Sequence, residues 1–202
     1  MFSGLRAALG AQTPVLSGGL PQSAVLVALY EAEGEVTVLL TRRAAHLRLH
    51  AGEVAFPGGM CDPEDVDLWD TAQREAEEEV ALVRDTLEPL GQLAPLVTRT
   101  GIQVTPCVAR VSQRTALEAN PAELESVFEA PLDFFADPSQ LSFMRFDYGG
   151  RERRVPEYRW QDYQIWGITA AILVRLVNLA CDAGIEMEDY WHGREAVAPG
   201  DG

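Results

Sequence analysis

Glu75, Glu78 and Glu79 stand in the run Arg74-Glu75-Ala76-Glu77-Glu78-Glu79-Val80. Their spacing matters if the run is a helix. At about 100° per residue, positions three and four apart share a face, which puts the three carboxylates within roughly 100° of one another. Ala72, Ala76, Val80 and Val83 then gather on an adjoining apolar side that can pack on a sheet. Like charges at these spacings cost a helix a few tenths of a kcal/mol per pair, so a cluster of three asks for a cation. Clustered carboxylate oxygens suit Mg²⁺ or Mn²⁺, hard ions that keep several waters and bind substrate phosphates as well. An isolated acidic run of this kind is more often a solvated helix face.

The balance shifts on what lies upstream. Phe56-Pro57-Gly58-Gly59 is a glycine turn after a strand-like segment, and two glycines let a backbone carbonyl approach a ligand closely. Turn, loop and carboxylate helix together resemble the Nudix hydrolase signature GX5EX7REUXEEXGU, with Gly59 as its first glycine and Arg74 to Leu82 as its second half. The chain departs from it twice. Asp65 takes the place of the first glutamate, separated from Arg74 by eight residues rather than seven, and Ala81 replaces the final glycine.

A second motif narrows the resemblance. Leu39-Leu40-Thr41-x-Arg43-Ala44-x3-Arg48-x3-Gly52-x3-Phe56-Pro57-Gly58-Gly59 is similar to the LLTxR(S/A)x3Rx3Gx3FPGG pattern of the coenzyme A pyrophosphatase branch. The resemblance implies an α/β fold, the Nudix α/β/α sandwich with a mixed central sheet, and one domain over residues 1–202 with its core at about 20–185. It implies hydrolysis of the coenzyme A diphosphate to adenosine 3′,5′-bisphosphate and 4′-phosphopantetheine, with Mg²⁺ or Mn²⁺ as cofactor. By the same resemblance Glu75, Glu79 and Glu78 hold the metal with the Gly59 carbonyl, and Arg74 orients the glutamates. Arg42, Arg43, Arg48 and Phe56 are the substrate-binding candidates, arginine's rigid fork being suited to phosphate. The general base stays open between Glu78 and a carboxylate of the stretch from Glu118 to Glu129. Two other readings stay open too: a Nudix diphosphatase acting on ADP-ribose, NADH or a nucleotide sugar, and a silent nucleotide-sensing module.

Composition sets the wider frame. A chain of 202 residues and 47% hydrophobic content can bury a sizeable core. The net charge of −15 argues against a nucleic acid or an anionic membrane as partner. An anionic small molecule must therefore be met by local arginines and metal. All sixteen basic residues are arginine, which excludes P-loop, Schiff-base and kinase-type lysine chemistry. Cys61, Cys107 and Cys181 form neither a disulfide framework nor a zinc pattern. With no secretory segment and no long apolar run, a cytoplasmic protein is expected, as a monomer or homodimer.

In chain order, residues 2–9 read as one helical piece ahead of a Gly/Pro-rich connector, and Ser23 to Tyr30 as a buried strand. The strand pairs through the Glu33-Gly34 turn with Val36 to Thr41. Asp67 or Asp70 caps the carboxylate helix. Leu87 to Val97 and Ile102 to Val111 read as strands joined at Thr98 to Gly101, and Glu118 to Glu129 as a loop or short element over the site. Pro131 to Ala136 reads as a short helix, and Leu141 to Tyr148 as a strand ending in a Gly149-Gly150 turn. Gln164 to Ala183, apolar nearly all round, reads as a buried helix opened by Trp166, a core residue or a wall of the substrate pocket. His46 and His50 read as structural or surface histidines, and the last dozen residues as a loose tail.

Overall fold

The structure, a computed structural model, describes residues 1–11, 19–148 and 151–187. The connector, the Gly149-Gly150 turn and the tail expected from the sequence lie wholly or largely outside them.

The central strand β1 (Gln22–Ala32) is apolar on both sides, and both sides are used. Leu26, Ala28 and Tyr30 pack with Ala72, Ala76 and Val80 of α2 (Leu68–Val80). Val27 and Leu29 pack on the opposite face against Leu5 and Leu9 of α1 (Phe2–Gly10) and against α4 (Gly167–Ala180). Strand residues alternate between faces with a period of two, so a run that is apolar throughout must be covered by helices on both sides. The result is an α/β/α sandwich.

β1 runs antiparallel to β2 (Glu35–Arg43) and parallel to β7 (Gln103–Val111), which makes the sheet mixed. Its main path is β3-β2-β1-β7-β5, with β3 (Val54–Ala55) and β5 (Leu87–Gln92) at the edges. Three short strands join this path. β4 (Gly58–Met60) pairs with β1, β6 (Leu96–Val97) with β7, and β8 (Leu124–Pro131) with β2. A short helix α3 (Leu132–Ala136) follows β8, as expected. The Glu33-Gly34 turn carries φ values of 53° and 84°, the left-handed pair that a two-residue hairpin demands.

Three expectations need correction. The segment from Leu87 to Val97 is two strands, because Pro95 interrupts the ladder, and Arg175 Nη1 instead donates to the Ala94 carbonyl at 2.8 Å. The stretch from Glu118 to Glu129 is half strand: Leu124 onward is β8, laid along β2 from Arg43 to Thr37. The last helix begins three residues late. Gln164–Trp166 belong to β11 (Tyr163–Trp166), which pairs with β10 (Arg151–Trp160), itself paired with β9 (Leu141–Tyr148). A short apolar run fits a buried strand as well as a helix. Here the Gln161-Asp162 turn supplies an antiparallel partner that a helix would have forgone. The helix starts only at Gly167, at φ +66°.

Asp67, not Asp70, is the N-cap of α2, its side chain accepting from the Asp70 N–H at 2.9 Å. At the other end Ala81 adopts φ 56° and ψ 30°, the left-handed conformation that its family position usually gives to glycine. The cost for an L-residue is about 1 kcal/mol. Ala81→Gly is therefore expected to raise the melting temperature by about 2 °C, the unfolded-state entropy of glycine offsetting part of the relief. A lower melting temperature would show that the Ala81 methyl is worth more than its strain.

Candidate active site

Capping at Asp67 and the alanine stripe fix the rotation of α2, and β4 fixes what its carboxylates meet. Gly58 and Gly59 run beside successive turns of the helix. The Gly58 N–H donates to Glu79 Oε2 at 3.2 Å. One residue on, a Cβ added to Gly59 would overlap the Glu75 carboxylate, so a glycine there is what lets that carboxylate sit against the strand. The Gly59 carbonyl accepts from Ser23 Oγ at 2.7 Å, and Gly59 faces Ala24 in the β1–β4 ladder.

The three glutamates differ in environment. Glu79 is 3% exposed. Burial, aided by the charges of Glu123 and Glu75, pushes its carboxyl up to about 7, against the opposing pull of the Gly58 N–H and Arg43. Glu75 is bound to Arg74, Nη1 to Oε1 at 2.8 Å. Glu78 is exposed and meets Arg74 at 3.5 Å. Among the described residues, no group of three or more Asp, Glu, His or Cys side chains stands together as a finished metal cage. Glu75 and Glu79 flank the glycine strand, while Glu78 points outward.

Arg74 does more than the sequence suggested. Its Nε and Nη2 grip Asp65 at 2.9 and 3.0 Å in a bidentate pair, while Nη1 reaches Glu75. Thr71 Oγ1 and the Asp62 N–H complete the hold on Asp65, and the guanidinium keeps its carboxyl well below the usual range. Asp65 is one methylene shorter than glutamate, and the extra residue in the loop carries it back within reach of Arg74. The departure from the signature is thus compensated in place.

The substrate-binding candidates separate. Arg43 stays with the glutamates, Nη1 4.0 Å from Glu79 Oε1, and its buried Nε has no hydrogen-bond partner. Arg42 points to the other face of the sheet, toward Glu125 at 3.6 Å and Asp162 at 3.7 Å, with Tyr163 under its guanidinium. Arg48 is exposed on the loop between β2 and β3. Phe56 is 3% exposed within the cluster under α4, so it is a core residue that anchors the turn rather than a ring offered to a ligand.

The sequence narrowed one acid only to a stretch. The loop 112–123 is stitched to the C-terminal end of α2 by Asn120 N–H to the Glu79 carbonyl at 2.8 Å and Glu118 N–H to the Val80 carbonyl at 3.1 Å. Glu123 follows in that loop, close enough for its charge to raise Glu79. Glu129 is held instead by Arg114 and Thr37, and Glu125 by Arg42. The sequence marked the stretch as a loop, but nothing singled out which of its acids lies near Glu79. His46 and His50 are exposed surface residues, bonded to the Ala122 carbonyl and to Glu53. The three cysteines are free. No helix among the described residues is long and apolar enough to cross a membrane.

The family model described as NUDIX domain matches residues 20–146. Curated relatives carrying the name "Uncharacterized Nudix hydrolase NudL" include one from Photorhabdus laumondii, 45% identical over 142 residues, which are 70% of this chain and 76% of the relative. Another, from Yersinia enterocolitica, is 46% identical over 144 residues, 71% and 74% of the two chains. Among solved structures, a MutT/nudix family protein from Enterococcus faecalis aligns with a TM-score of 0.55 at 17% identity, over 86% of this chain and 66% of that one. That last likeness speaks to the fold alone.

Proposed function

The chain belongs to the Nudix hydrolase family, and from that premise we propose that it cleaves the diphosphate of coenzyme A or a derivative, releasing adenosine 3′,5′-bisphosphate and 4′-phosphopantetheine. The observation that carries the reading is the arginine motif upstream of the glycine turn. Every fixed position is filled, and Arg43 stands 4.0 Å from the buried Glu79 with its Nε unpaired. A guanidinium with spare donors beside a carboxylate site is suited to a phosphate that arrives with a cation.

Glu75 and Glu79 offer hard carboxylate oxygens beside the glycine strand, a donor set that fits Mg²⁺ or Mn²⁺, with the Gly59 carbonyl as the further candidate. Glu78 joins them by rotating about its side-chain torsions. A divalent ion held there would supply positive charge for the diphosphate oxygens and would lower the pKa of a bound water. Arg74, locked to Asp65, keeps Glu75 on the strand side of the helix, and Arg43 takes up phosphate charge. Glu123 or Glu78 receives the proton as water adds to phosphorus and the bridging P–O bond breaks. Three free cysteines suit a reducing, cytoplasmic setting.

The open carboxylate arrangement also favours a second reading, a module that binds a nucleotide without cleaving it. One substrate panel decides between them: coenzyme A, ADP-ribose, NADH and diadenosine polyphosphates, each with and without Mg²⁺, products identified by mass. Cleavage of coenzyme A at its diphosphate is the expected result, and cleavage of none would leave the binding module. Within the same panel, Arg48→Ala is expected to lower kcat/KM on coenzyme A by about tenfold, as for one lost charged contact, and on ADP-ribose by less. Equal losses would remove Arg48 as a selector.

A further inference from the structure

A cavity of about 440 Å³ opens on the α4 side of the sheet, lined by Val54, Val97, Phe146, Val155, Trp166 and Ile168 among others. The volume is that of a small-molecule site. The α2 glutamates lie on the opposite face. The two regions still meet at the sheet edge, where the Arg43 N–H donates to the Glu53 carbonyl at 2.9 Å and the Gly52 N–H to the Arg43 carbonyl at 3.1 Å. Glu53 itself borders the cavity. One strand spacing, about 4.8 Å, therefore separates the Arg43 backbone from the cavity wall.

Two rings define its interior. Phe146 of β9 and Trp166 at the end of β11 lie 6.4 Å apart between centroids, tilted by 29°. The protein shows elsewhere what a closed stack looks like: Phe128 and Tyr163 lie 3.7 Å apart at 10°. A planar group held on both faces needs about 3.5 Å on each side, or roughly 7 Å in all. Phe146 is 45% exposed, a large apolar side chain left in solvent and free to make up the difference. Thr169 Oγ1, bonded to the Val54 carbonyl at 3.0 Å, fixes the start of α4 and with it the wall that carries Trp166.

We propose that Phe146 and Trp166 form an aromatic clamp that takes the planar base of the nucleotide substrate, leaving the diphosphate to cross the sheet edge past Arg43. The clamp rests on the coenzyme A reading only for the identity of that base, an adenine. It also gives the three-stranded sheet a task, since β9 and β11 carry the two rings.

Titrating the full chain with AMP and with ribose 5-phosphate tests the clamp apart from hydrolysis, because neither probe holds a diphosphate. AMP is expected to bind at least about tenfold more tightly than ribose 5-phosphate, the usual scale for one stacked base. The preference should vanish in Phe146→Ala and in Trp166→Leu and survive in Phe146→Tyr. Phe146 is exposed enough that its truncation leaves no buried void. Equal affinity for the two probes, or a preference that both substitutions leave intact, overturns the clamp. Hydrolysis assays separate its fate from that of the substrate reading. Coenzyme A left uncleaved while the AMP preference holds removes the substrate and keeps the clamp. Coenzyme A cleaved with an unchanged KM by Phe146→Ala removes the clamp and keeps the substrate.

Discussion

Glu79→Gln is expected to lower Mg²⁺-dependent turnover by about a hundredfold or more, the scale of losing one preorganised charge at a reacting centre, while making the metal-free protein more stable above pH 7. The second half follows from burial. Glu79 is almost out of solvent, and its carboxyl is pushed up to about 7 from the ordinary 4.5, so folding favours the protonated form. The folded state then binds more protons than the unfolded one between those values, and stability falls as pH rises through that window. Below about 4.5 the contribution is fully present; above 7 it is lost, at a cost on the order of 3 kcal/mol. Glutamine keeps an oxygen for the Gly58 N–H and cannot ionise, so in melts without metal its slope between pH 5 and 7 should flatten. Asp65 does not confuse the measurement. Its depressed carboxyl contributes stability at every pH above about 4 and loses it only in stronger acid. If Glu79 holds a metal, added Mg²⁺ is expected to recover that loss through binding. Near-normal Mg²⁺-dependent hydrolysis by Glu79→Gln, or a pH slope identical to that of the parent, would remove Glu79 as a ligand.

Much of this geometry was already visible in residue spacing, and the exceptions have physical causes. The α2 face, its Asp67 cap and its alanine stripe follow from helical period and capping chemistry, which act within a few residues. The β1–β2 hairpin and its Glu33-Gly34 turn are local in the same sense. What the sequence hid depends on distant partners. Gln164–Trp166 became strand because β10 pairs with it, and no property of those residues alone announces a partner. Phe56 sits in a motif shared with binding residues, yet its ring faces α4, because every second strand-like position turns inward. Asp65 looked like a lost glutamate until the loop showed how one added residue returns its carboxylate to Arg74. Glu123 lies near enough for its charge to act on Glu79 because Glu118 and Asn120 pin its loop to α2 by main-chain bonds, which side-chain identity does not encode.

The two glycines of the turn permit a sharper test, because identical substitutions at adjacent positions should fail in different ways. A Cβ on Gly58 would run into the Ala24 carbonyl and the Val25 Cα, the backbone of the central strand, which cannot step aside. Gly58→Ala should therefore cost stability, by roughly 3 kcal/mol or more as an overpacked core does, and take activity down with it. A Cβ on Gly59 meets first the Glu75 carboxylate, the free end of a flexible side chain. The glutamate can swing outward, giving up its 2.8 Å contact with Arg74, at little cost to the fold. The price appears in chemistry instead, since a ligand displaced by about 1 Å can lose up to a hundredfold in rate. Gly59→Ala is thus expected to melt within about 2 °C of the parent, a stability change under roughly 1 kcal/mol, yet to lose between ten- and a hundredfold in kcat. If instead Gly59→Ala stays fully active, Glu75 does its work from somewhere other than the glycine strand. If both variants unfold alike, the strand and not the carboxylate is what requires glycine at each position.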